Sequence, residues 1–278
     1  MSITDLAHAI GSQVKADLRP HLVGTGLLGF IFVPAVFVLA ARQLGDEAVS
    51  PATGGTYMIA SIIAVIGALI AMSVMSEMYA ERMAGTLLRV RILPNGPLIW
   101  SVGKTLTTTV VMLGTQILIF IAARIFLFDF DIPTSRLLLG LAIALLVILA
   151  CAPLGFVLGS LIRGTYTNLL GTLVFVAVMI TSGTFFPLEV LPRWVQLIHQ
   201  VLPFYWAGHL ARATLLGGEA AFEPIGEYMP VLATGILLAW LVIGFGLAVI
   251  VIRRSFRNET ISTLSGMQAK IRSQVGIS

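Results

Sequence analysis

The chain has 278 residues, of which 58% are hydrophobic and only 11% charged, with a net charge of +4 and a mean hydropathy of +0.99. Soluble domains carry about 25% charged residues, so this deficit argues against a water-soluble enzyme or nucleic-acid-binding module and for a chain immersed in lipid. In hydrocarbon every backbone polar group must be paired within the chain. The apolar runs are unbroken and do not alternate, which predicts an all-α polytopic membrane protein and not a β-barrel.

In chain order, residues 1–20 predict an interfacial amphipathic helix. Ile3, Leu6, Ile10, Val14 and Leu18 recur at steps of three or four, with Asp5, Lys15 and Arg19 turned away. Ser2 and Asp5 have capping-box spacing, and Pro20 is expected to end the element. A cleaved signal peptide is the competing reading, but the polar lead-in and the apolar run after it are both too long. Six spans are predicted, at about 22–41, 56–76, 99–128, 137–162, 168–186 and 229–252. Lys104 and Arg124 lie near the ends of the third, where a long side chain can snorkel to the surface. A charged segment, 77–96, follows the second span. Segment 187–218 holds two apolar stretches punctuated by Pro187, Pro192 and Pro203, each too short to cross, and is expected to be re-entrant. Trp194, Tyr205 and Trp206 suit the headgroup level. A polar basic tail, 253–278, ends the chain.

Six spans put both termini on one side. That side collects twelve of the 17 Lys and Arg residues, among them Lys15, Arg19, Arg82, Arg89 and Lys104. The positive-inside rule therefore predicts cytoplasmic termini in the cell membrane. Basic residues shared among separate loops form no patch for nucleic acid.

No chemistry that could power transport is apparent. All thirteen Asp and Glu residues fall in predicted loops, at span ends or on the interfacial helix, whereas proton-coupled carriers usually hold an ionisable group within the membrane. Gly103–Lys104–Thr105 resembles the end of a phosphate-binding loop, but Leu98 stands where the motif requires glycine. The four His residues suggest no metal site, Cys151 reads as a packed small residue, and the Ser and Thr residues of the spans have no nearby base. No catalytic or metal-binding residue is expected.

Energy for transport would then arrive through a contact surface. The candidate is Glu77 to Arg91, where Glu77, Glu81, Arg82 and Arg89 are mixed with Met83, Leu87 and Leu88, a composition suited to an amphipathic helix in a partner's groove. The segment AERMAGTLLRVRILPNGPLIWSVGK resembles the coupling segment of permeases in the type 2 ATP-binding-cassette exporter family. Glu81, Arg82, Gly85, Thr86, Leu87, Pro94, Gly103 and Lys104 stand at matching places, while Leu88 departs from the family's usual Glu. A second block, SGTFFPLEVLPRWVQLIHQVLPFYW, is similar to the family's re-entrant segment through Ser182, Gly183, Phe185, Phe186, Pro187, Leu191, Pro192 and Trp194.

The resemblance implies a half-transporter. Two permeases, identical or similar, would pair within membrane lipid. Each would dock Glu77–Arg89 on a separate ATPase chain that binds ATP and magnesium; this chain would hold no cofactor. Lys15 and Arg19 would belong to the connecting helix, and 186–203 would cap the exit, with Phe185 and Phe186 as an apolar plug. Small residues at Ala60, Ala64, Ala68, Ala71 and Gly171 would mark the pathway or dimer face, although ordinary packing needs the same residues. The sparse charge suits a hydrophobic cargo such as a drug or antibiotic. Export of lipid or lipid-linked polysaccharide, an ion-coupled carrier, and a membrane-integral lipid enzyme are the alternatives.

Overall fold

A computed structural model describes residues 2–23, 25–44, 48–49, 52–127, 130–185, 188–217, 223, 226–258 and 265–266. The all-α polytopic architecture holds: among the described residues five helices are long and apolar enough to cross a membrane, and a shorter apolar helix joins them. Phe186, Pro187 and nearly all of the predicted basic tail beyond Asn258 lie outside the described residues.

Helix α1 (Ile3–Leu22) is amphipathic and begins with a reciprocal capping box between Ser2 and Asp5. Pro20 does not end it as expected. A proline this close to the C-terminus removes one helical N–H, and the next turn still closes through Val23 N–H on Arg19 O at 3.0 Å. Lys15 and Arg19 point outward and Gln13 and Asp17 inward. Helix α2 (Thr25–Gln43) is the first span, and a two-residue ladder pairs β1 (Ala48–Val49) with β2 (Ala52–Thr53).

Helix α3 (Gly54–Met83) is the central post of the bundle. At 30 residues it is about 45 Å long, and it packs most extensively on α6 (Thr134–Leu161) and α9 (Pro203–Leu215). Its small residues make those approaches possible. A methyl group added at Gly155 of α6 would fall 2.5 Å from Ala71 O and 2.7 Å from Val74 Cβ. Ala60, Ala64, Ala68 and Ala71 are all buried within this one chain, and a methyl at Gly171 would meet Met75 Sδ at 2.8 Å. The predicted pathway or dimer face is thus used up by packing inside the protomer, because small residues shorten the distance between helix axes wherever they meet.

The span helix also runs further than expected, past Ser76 to Met83. Gly85, at φ 73°, breaks it, and the short α4 (Thr86–Arg91) follows. Helix α5 (Gly96–Phe126) is the third long span, and Arg124 on its last turn donates to Phe130 O and Ile132 O. Helix α7 (Thr165–Thr181) has 17 residues, near the lower limit for a crossing. A 3-10 turn (Leu188–Val190), α8 (Arg193–Val201) and α9 make up the segment expected to be re-entrant, and α10 (Pro230–Asn258) is the last candidate span. Trp206 is buried and donates to Gln200 O at 2.7 Å, and Tyr205 is also buried, so both rings pack inside the protein instead of facing lipid. Trp194 is 66% exposed.

Candidate functional site

Two clusters of buried charge lie at opposite ends of α3. At the end carrying α1 and α4, the Lys104 ammonium of α5 stands 2.7 Å from Glu81, 3.0 Å from Glu77 and 3.4 Å from Asp17. Trp100 donates its indole N–H to Glu81, Ser73 donates to Glu77 at 2.8 Å, and Gln13 donates to Asp17. One ammonium therefore joins α1, α3 and α5. Gly103 permits it, since a Cβ there would lie 2.7 Å from Gln13 Cγ. Lys104 is 5% exposed and paired, not snorkelling; a charge leaves water only where opposite charges and hydrogen bonds compensate it.

Arg82, the next residue on α3, is 1% exposed. Its guanidinium donates to Gly159 O at 3.0 Å, Ile162 O at 2.6 Å and Ser255 Oγ at 3.0 Å, satisfying carbonyls at the end of α6 that have no intrahelical partner. Trp100 packs edge-on against Phe156 and Phe256, with centroids 5.7 and 5.5 Å apart. Glu77, Glu81 and Arg82 thus face inward, which corrects their placement on an exposed contact helix: the continuing α3 turns them into the bundle. Leu87 is buried and anchors α4, whereas Arg89 is exposed. Beyond Arg89, Arg91, Ile92, Leu93, Pro94 and Leu98 form an exposed apolar surface with a basic edge.

At the opposite end, Glu223 folds back from the α9–α10 connection. Arg212 grips it through Nε at 2.7 Å and Nη2 at 2.6 Å, and Tyr205 donates to it at 2.9 Å. Met229 N–H donates to His209 Nε2 at 2.8 Å, so Nε2 is the accepting nitrogen, and Nδ1–H points at Glu223 at 2.9 Å. Burial alone would raise the Glu223 carboxyl, but Arg212 and His209 outweigh it and hold it at about 2. Arg212 also donates to Ser61 Oγ on α3 and to Gly183 O, and it lies over the Tyr57 ring. Gly183 adopts φ 83° in the turn after α7, where Ser182 and Thr184 share a hydrogen bond. Phe185 stacks on Phe37 of α2 at 6.4 Å. Pro192 caps the start of α8.

The family described as "ABC-2 family transporter protein" matches residues 43–249. The chain belongs to this family. A search of curated proteins returned no match. The permease is therefore a membrane transport subunit, and both charge clusters fall on segments that the family match covers, apart from the α1 contribution of Gln13 and Asp17. Sequence reasoning missed the Arg212–Glu223 cluster. Tyr205, His209 and Arg212 recur at steps of four and three, a polar stripe on one helix face that was legible. Glu223 sits in a connection, with no periodicity to betray its burial.

Proposed function

We propose that the permease exports a hydrophobic small molecule, drug- or antibiotic-like, from the cytoplasm or inner leaflet, driven by a separate ATPase chain. The observation that carries this reading is the exposed apolar and basic surface from Arg89 to Leu98, hung by Gly85 directly below the Lys104 cluster. An ATPase that binds ATP and magnesium docks there. Thr86 and Leu87 fix α4 to the bundle, and Arg82, Glu77 and Glu81 act as positioning residues. They carry displacement of α4 into α3, α6 and α10, and through Lys104 into α1 and α5.

Both termini lie in the cytoplasm, and two permeases pair in the cell membrane. The apolar faces of α2 and α7, with Leu28, Phe32, Leu170 and Leu173 more than half exposed, are the surfaces offered to the second copy or to lipid. Phe185 and the turn at Gly183 form the outer gate, with α8 and α9 as its cap.

Transport by inside-out vesicles tests the reading. Uptake of an apolar fluorescent probe should require ATP and persist when the proton gradient is collapsed. Uptake driven by the gradient without ATP would overturn it in favour of an ion-coupled carrier.

A further inference from the structure

Between α2, α3 and α5, in the half of the bundle nearer α1, lies a cavity of about 310 Å³. Its walls are largely apolar, with Phe30, Leu69, Met72 and Met112 among them. Four of its five hydroxyls, all but that of Ser76, are committed as donors within the chain. Thr108 donates to Lys104 O at 2.7 Å, Thr115 to Val111 O at 2.9 Å, Thr172 to Asn168 O at 3.0 Å and Ser73 to Glu77 Oε1 at 2.8 Å. A hydroxyl has one proton, so these four oxygens offer a ligand lone pairs only. His21, at the edge, holds Asp17 O at 2.9 Å through Nδ1. A carbonyl only accepts, so Nδ1 carries a proton in this contact.

Behind this wall the charge is unbalanced. Ser73 stands between the cavity and Glu77, and beyond it Glu77, Glu81 and Asp17 face the single ammonium of Lys104. Three carboxylates against one cation leave a formal charge of −2. The three carboxylates are only partly exposed, so the excess is incompletely screened and attracts positive charge. Thioether sulfurs and the Phe30 ring also tolerate a cation at close range.

We infer that this cavity binds lipophilic ammonium ions, with the apolar body among Phe30, Leu69 and Met72 and the charged head toward Ser73 and Thr108. The inference rests on the export reading and narrows its cargo to amphipathic cations. Neutral molecules of the same shape gain nothing from the carboxylate excess behind Ser73, and anions are repelled.

The test uses dansylcadaverine, a primary ammonium on an aromatic body, and its neutral N-acetyl derivative. Each is titrated by fluorescence anisotropy against the full-length permease in phosphatidylcholine nanodiscs. One charge-assisted hydrogen bond corresponds to about tenfold in affinity, so the amine should bind at least that much more tightly. Ser73→Ala should erode the preference severalfold by weakening the amine alone, and Met72→Trp should fill the cavity and weaken both probes. Equal binding of the two probes, or an amine preference that neither variant alters, overturns the site. ATPase retention is measured on the same preparations. A permease that retains its ATPase but shows no amine preference loses only the cation assignment. One that prefers the amine but retains no ATPase keeps the site and loses the export reading.

Discussion

The Lys104 ammonium of α5 lies 2.7 Å from the Glu81 carboxylate of α3, and the same ammonium reaches Glu77 and, on α1, Asp17. Removing it leaves three carboxylates close together with hydrogen-bond donors but no cation. Breaking a buried charge pair from one side costs about 3 kcal/mol or more. Lys104→Met should therefore lower the thermal midpoint of the purified permease by several degrees. An unchanged midpoint would show that the cluster contributes nothing to holding α1 against the bundle.

At the other end of α3, the acid sensitivity of the cap has a defined sign. The Glu223 carboxyl is held at about 2 in the folded chain, below its ordinary 4.5. A depressed carboxyl contributes stability above its unfolded value and loses it as pH falls toward the folded value. Wild type should keep its cap from neutral pH down to about 4.5 and lose about 3 kcal/mol between there and about 2. Trp206, buried on the same helix as Arg212, supplies the fluorescence signal. Glu223→Gln should be weaker at neutral pH and flatter across that window. A variant as acid-sensitive as wild type contradicts the assignment.

The contact between α3 and α6 admits a paired glycine test. Gly155→Ala places a methyl 2.5 Å from the Ala71 carbonyl oxygen, whereas the same change at Gly246 of α10 meets nothing within 4 Å. Overpacking of this kind costs about 1–3 kcal/mol, while an unobstructed Gly→Ala in a helix is neutral or mildly stabilising. Thermal unfolding should separate the two variants in that order.

Much of this architecture was legible in the sequence because long apolar runs and proline punctuation are local signals. The short helices α8 and α9 follow from Pro192 and Pro203, and α1 from its stripe and its Ser2–Asp5 cap. What failed was the reading of charge as a mark of exposure. Glu77, Glu81 and Arg82 look like a solvated stretch because their partners Lys104, Gly159, Ile162 and Ser255 are distant in the chain. The alanine stripe of α3 was visible, but its partner was not, since a small residue fits a neighbouring helix of the same chain as well as one of a second chain. The contact surface proposed here lies only a few residues further on, around Arg89 to Leu98 instead of 77–91.

Phe185 and Phe37 stack between the turn after α7 and the first span. An aromatic pair contributes about 1 kcal/mol beyond its area, small enough that its loss leaves the fold intact. Phe185→Ala, alone or with Phe186→Ala, should raise passive probe leak or uncouple ATP hydrolysis from transport without preventing assembly. Tight, normally coupled transport in both variants removes the gate from this position.

The central claim is that a separate ATPase drives this permease through the surface below Lys104. It is tested most directly by gentle extraction from the native membrane, affinity capture, and mass-spectrometric identification of what co-purifies. An ATPase in near-equal amount is predicted, lost on Ile92→Asp with Leu93→Asp while the thermal midpoint stays unchanged, because both side chains are exposed. Intact, well-extracted permease that brings no ATPase, or one that keeps it through both substitutions, would contradict the account.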